Sequence, residues 1–116
     1  MSVQLDIVCE NTVGRPIAAY AEHGFACLLQ TPAGRWLFDT GSGNTLLTNL
    51  KALGLDYQSL DGVILSHGHY DHCGGLLSFL RATGPRRVYA HPEIFSERFW
   101  HGQHEQRNIG VPFAHT

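Results

Sequence analysis

The sequence predicts an α/β fold in which strands alternate with helices. Three observations carry the prediction. Short apolar runs of strand length recur, at Phe25-Ala26-Cys27-Leu28-Leu29, Arg35–Asp39, Val63-Ile64-Leu65 and Arg87–Ala90. Leucines at helical spacing (Leu46, Leu47, Leu50, Leu53) fall between two of these runs. Glycine- and proline-bearing breaks separate the segments, and layered strands and helices are what such alternation builds.

Taken in order, Val3 to Val8 alternates apolar Val3, Leu5 and Ile7 with polar Gln4 and Asp6, the pattern of a half-buried strand. Glu10-Asn11-Thr12 is a polar break, and Gly14-Arg15-Pro16 reads as a turn or loop. Phe25–Leu29 is apolar throughout, as in a strand covered on both faces. Thr31-Pro32-Ala33-Gly34 connects it tightly to Arg35–Asp39, predicting an antiparallel hairpin. Thr40-Gly41-Ser42-Gly43-Asn44 is a glycine-rich turn into the leucine helix, which Gly54 is placed to end. Asp56 to Asp61 is a connector before the strand Val63–Leu65, and a helix is expected from Gly75 to about Arg81, stopped at Thr83-Gly84-Pro85. After the strand Arg87–Ala90, Pro92 is suited to the first turn of a helix running through Phe99 or Trp100. Phe95, Phe99 and Trp100 then read as core positions of that helix. Residues 101–116 form a polar tail without periodicity, and residues 1–116 are expected to make one domain.

Composition narrows the function. Hydrophobic content of 43% with 16% charged residues describes a globular chain rather than a disordered one. A net charge of −2 gives no electrostatic case for nucleic acid or an anionic membrane as partner. No apolar stretch approaches the roughly 20 residues of a membrane span, and the N-terminus has no secretory pattern. Cys9, Cys27 and Cys73 are odd in number and widely spaced, which argues for a reducing compartment. The expected location is the cytoplasm.

The chemistry concentrates in Ser66-His67-Gly68-His69-Tyr70-Asp71-His72-Cys73-Gly74-Gly75, between a strand and a helix. Neutral imidazole nitrogens and a carboxylate oxygen suit zinc and similar divalent ions. In an extended exit turn His67 and His69 share a side, because alternate side chains do. Asp71 and His72 follow where the backbone enters the helix, an arrangement that suits two neighbouring ions better than one.

His67-x-His69-x-Asp71-His72, extended by Gly74-Gly75, resembles the HxHxDH signature of the metallo-β-lactamase superfamily. With Leu37-Phe38-Asp39-Thr40-Gly41, it is similar to a branch of metal-dependent hydrolases, some of whose members belong to dihydropterin (methanopterin-type) metabolism. The resemblance runs from about Ala21 to Phe113. It implies the N-terminal half of an αββα sandwich, a mixed sheet with helices on one face. It gives His67 and His69 to a first metal and Asp71 and His72 to a second, with Asp71 also orienting the attacking water or taking its proton. It implies one or two divalent ions, zinc first and iron or manganese as alternatives. Hydrolysis of an ester, thioester, amide, lactone or phosphoester follows, since such an ion lowers the pKa of bound water from about 15.7 toward roughly 7. It also implies a buried role for Asp39, orienting the ligand turn; the plainer reading is a turn cap.

The resemblance further implies a His, an Asp and another His from segments downstream of HxHxDH. No aspartate follows Asp71 here, and His101, His104, His115 and Glu105 read as ordinary tail residues. Partners expected are therefore a small-molecule substrate and either a second copy or another chain supplying the missing half. The rival reading is a catalytically silent zinc-binding module. Of the remaining candidates, Cys73 reads as a small buried residue rather than a soft ligand. His91 and His23 are candidate pocket residues, with a cap or a surface histidine as the alternative. Gly41-Ser42-Gly43 lacks the third glycine and downstream acid of a dinucleotide site and is weak evidence for one.

Overall fold

The computed structural model describes residues 2–14, 19–96, 99–101 and 106–110, the side chains of 99–101 and 106–108 excepted. Five strands form one sheet in the order β1 (Gln4–Cys9), β2 (Ala26–Thr31), β3 (Gly34–Phe38), β4 (Gly62–Ile64) and β5 (Val88–Tyr89). The expected hairpin is present: β2 and β3 pair antiparallel, with Thr31 opposite Gly34 across the Pro32-Ala33 turn. Thr31 Oγ1 accepts the Ala33 N–H there. β1 is antiparallel to β2, whereas β3, β4 and β5 run parallel, so the sheet is mixed.

Parallel neighbours need crossovers, and helices supply them. The helix α1 (Leu46–Ala52) joins β3 to β4, and α2 (Tyr70–Cys73) with α3 (Leu76–Thr83) joins β4 to β5. Gly54 closes α1 at φ 66°, a left-handed value that glycine adopts without strain. Leu28, Leu37 and Val63 lie side by side across β2, β3 and β4 and share one core with Leu46, Leu50, Leu76 and Phe79. The helices therefore cover one face of the sheet. Asn49, fully buried, ties α1 to β1 by donating to the carbonyls of Val8 and Tyr20.

The opposite face carries Leu5, Leu29 and Trp36 in one row, and Ile7, Cys27, Phe38, Ile64 and Tyr89 in the next. This changes the reading of β1. Its alternation is real, but Val3, Leu5 and Ile7 point away from the helices and are 65%, 61% and 57% exposed. Periodicity shows that a strand has two unlike faces; it does not say which one the helices cover.

Among the described residues, no C-terminal helix follows Pro92. Residues 92–95 form a turn, in which Ile94 N–H donates to His91 O and Ser96 N–H to Glu93 O. These three-residue bonds do not propagate into an α-helical ladder, and Phe95 is exposed. The chain instead forms β6 (Phe99–His101), antiparallel to β7 (Gln106–Asn108), and β7 lies in the stretch expected to be a polar tail without periodicity. Pairing is made by backbone groups, so polar residues did not prevent it. Arg15 and Pro16 of the expected turn lie outside the described residues, as do His104, Glu105 and His115.

Candidate metal centre

Two sequence-distant turns meet at the top of the sheet. One follows β3 and begins with Asp39; the other follows β4 and begins with Ser66. Asp39 N–H donates to Ile64 O, extending the parallel ladder by one rung. Its φ of 59° is the one positive value at a non-glycine among the described residues. A left-handed aspartate is strained, and strain of this kind persists where the surroundings hold it. Here they do: the Asp39 side chain is 1% exposed and accepts from Ser66 N–H at 2.8 Å, Ser66 Oγ–H at 2.6 Å and His72 Nδ1–H at 2.8 Å.

The glycines of both turns allow close approach. A Cβ on Gly74 would lie 2.3 Å from the Ser42 carbonyl oxygen, and one on Gly75 2.4 Å from that of Thr40. Thr40 bridges the two turns: its N–H and its hydroxyl both donate to His72 O, and its hydroxyl accepts from Gly75 N–H. Cys73, fully buried, donates its thiol to His67 O, which is a structural contact and not a ligand position. The bend that carries the histidines is thus fastened from beneath.

On that bend the rings of His67 and His69 meet edge-on with centroids 4.7 Å apart, and those of His67 and His72 lie 4.2 Å apart. Asp39, His67 and His72 each offer a donor atom within 4.8 Å of the others, the convergent set among the described residues. His69 and Asp71 stand beside that trio rather than within it. Asp39 is geometrically eligible, but its oxygens already accept three protons, so it supports the imidazoles instead of joining them at a cation. Asp71 Oδ2 lies 3.7 Å from His72 Nε2 and 3.3 Å from His23 Nε2. His23 therefore borders the site from the loop before β2, with its side chain largely in solvent. His91 is exposed, and its Nδ1 accepts from Glu93 N–H, the contact of a local turn cap.

The Nδ1 atoms of His67 and His72 are engaged with Ser66 Oγ and Asp39, which leaves their Nε2 atoms for a ligand. Imidazole nitrogens oriented this way, with Asp71 alongside, fit a divalent cation. Burial, and then the neighbouring His72 and His69, push the His67 imidazole below its ordinary range. It is accordingly neutral, the form that binds a metal, at neutral pH.

Glu22 carried no motif in the sequence and turns out to be a buried anchor. Its carboxylate accepts from Ser42 N–H and Asn44 N–H, the donors exposed by the left-handed Gly41 and Gly43. Those amides would have been the phosphate donors of a nucleotide site, and the chain's own acid occupies them. Glu22 also faces Cys9, whose thiol is pushed up to about 11, chiefly by burial. A cavity of about 200 Å³ beside the histidines is lined by Glu10, Asn11, Gly24, Phe25, Asp71 and His72. A larger cavity of about 600 Å³ lies along β1 and contains none of the site histidines.

Comparison with known proteins gives the same picture. The family model of the metallo-beta-lactamase superfamily matches residues 19–115. The 7,8-dihydropterin-6-methyl-4-(beta-D-ribofuranosyl)-aminobenzene-5'-phosphate synthase of Methanocaldococcus jannaschii is 31% identical over 104 residues, 84% of this chain and 35% of the synthase. A second protein of that organism is 34% identical over 99 residues, 82% of this chain and 37% of its own length. Among solved structures, the Rm3 metallo-beta-lactamase superposes with a TM-score of 0.55 at 29% identity, over 66% of this chain and 29% of that one. The chain spans about a third of the length of the curated relatives it matches.

Proposed function

The chain belongs to the metallo-beta-lactamase superfamily, and on that premise we propose that it is the metal-bearing part of a metal-dependent hydrolase. The observation that carries the reading is the pairing of His72 Nδ1 with the buried Asp39, which turns Nε2 outward beside the His67 ring. His67, His69, Asp71 and His72 would hold the ion, with zinc the best match to a set of three imidazoles and one carboxylate. When bound, a divalent ion supplies Lewis acidity and a water acidic enough to ionise near neutral pH.

The chain's own residues do the rest. Asp39 holds the His72 ring in one orientation and, through Ser66, the His67 ring. Asp71 Oδ2, partly exposed between His23 and His72, would orient a water and accept its proton. His23 Nε2, 3.3 Å from Asp71 Oδ2, is a group to which Asp71 would pass that proton. The thioester, ester, lactone, amide and phosphoester classes all answer to this chemistry. The likeness to a pterin-pathway synthase favours a phosphorylated or pterin-like substrate.

A cavity of about 200 Å³ is smaller than the roughly 300–1,000 Å³ that encloses a typical small ligand. The substrate site would then be completed by a second copy or by another chain. The same observation favours a second reading, a zinc-binding module without turnover. A zinc titration followed by a screen of esters, lactones and phosphodiesters separates them. Turnover by the zinc-loaded wild-type chain supports the hydrolase, and zinc uptake without any turnover supports the silent module.

A further inference from the structure

Ser66 is the residue just ahead of the histidine cluster, and its hydroxyl lies between two groups. Oγ is 2.6 Å from Asp39 Oδ2 and 2.7 Å from His67 Nδ1. A carboxylate only accepts, and two oxygens at 2.6 Å require a proton between them. The single hydroxyl proton is therefore committed to Asp39. What Ser66 then presents to His67 is a lone pair, so Nδ1 of that ring must carry the proton.

We propose that Ser66 is a positioning residue that relays the acceptor character of Asp39 to His67, so that one buried carboxylate sets the tautomer of two imidazoles. His72 receives the instruction directly at Nδ1, and His67 receives it through one hydroxyl. Both neutral rings then expose an unprotonated Nε2 at the same place, with centroids 4.2 Å apart. Asp39, at φ 59°, reaches Ser66 N–H, Ser66 Oγ and His72 together. A serine at this position is thus part of the binding machinery and not a turn residue selected for its small size. The inference rests on the metal-site reading for its purpose, but its geometry concerns the metal-free chain.

The test is long-range proton–nitrogen NMR of the uniformly labelled, metal-free chain, at a pH well above the ordinary histidine value of roughly 6.5. Wild-type His67 should show the Nδ1–H tautomer. Ser66→Ala should shift it toward a mixture, and Ser66→Thr, which keeps the hydroxyl, should restore it. Chelator competition should show zinc binding about 10-fold weaker in Ser66→Ala and recovered in Ser66→Thr, in line with other partners that orient metal-binding histidines. An Nε2–H tautomer in the wild type overturns the proposal, whatever the variants do. So does an Nδ1–H tautomer and zinc affinity left unchanged in Ser66→Ala. Because the tautomer is read without metal or substrate, a failed hydrolysis screen leaves this result standing, and the reverse also holds.

Discussion

Nδ1 of His72 lies 2.8 Å from Oδ2 of Asp39, although 33 residues separate them in the chain. Asn at position 39 keeps the shape and tolerates the left-handed backbone, but its amide group must point a donor at one of the three donors that Asp39 accepts. Asp39→Asn should weaken zinc binding by about 10- to 100-fold and lower stability by about 1–3 kcal/mol. Chelator competition and urea melts would check both. Unchanged zinc affinity would mean that the His72 ring needs no such partner.

His67 carries the pH prediction. Its folded-state value is depressed by burial and by His72 and His69, so the unfolded chain binds more protons just below the ordinary value. The stability it contributes is present above roughly 6.5 and is lost as pH falls through that value toward the lowered one. Urea melts of the metal-free chain should show wild type losing stability in this window more steeply than His67→Gln. Parallel slopes would contradict the assignment.

The contact between the two turns leaves no room for a methyl group. A Cβ on Gly74 would stand 2.3 Å from Ser42 O and 2.6 Å from Tyr70 O, both backbone atoms that cannot swing aside. Gly74→Ala should cost about 1–3 kcal/mol or more. Gly54→Ala meets open space and pays only for its φ of 66°, about 1 kcal/mol. Melts of the two variants side by side would check the order; equal losses would show that the turns are not in tight contact.

Much of this arrangement could be read before the structure. The β2–β3 hairpin followed from two apolar runs around Pro32-Ala33, and α1 from its leucine spacing and Gly54. The histidine bend was legible because its ligand types are rare at such density. Other features depended on partners that sequence spacing does not reveal. Glu22 became an anchor only because Gly41 and Gly43 turn two amides toward it. Ser66 acquired a role only where β3 and β4, far apart in sequence, run parallel. The helix expected after Pro92 rested on the spacing of Phe95 and Phe99, which fits either a helix or a strand, and Phe99 lies in β6, paired with β7.

The outer row of β1 bears on assembly. Val3, Leu5 and Ile7 are exposed on the sheet face away from the helices, where Leu5 adjoins the half-buried Leu29 and Trp36. We propose that a second copy of the chain covers this face. Light scattering at micromolar concentration should find the 116-residue chain self-associated, and Leu5→Lys with Ile7→Lys should shift it toward monomer. A wild-type chain that is monomeric throughout that range would contradict this.

The central claim is that side chains on one bend grip a cation. Zinc uptake by equilibrium dialysis, compared between wild type and His67→Ala with matched circular dichroism, tests it most directly. The account predicts at least one zinc ion per wild-type chain and binding weakened at least tenfold in the variant. No uptake by wild type, or uptake indifferent to His67, would contradict it.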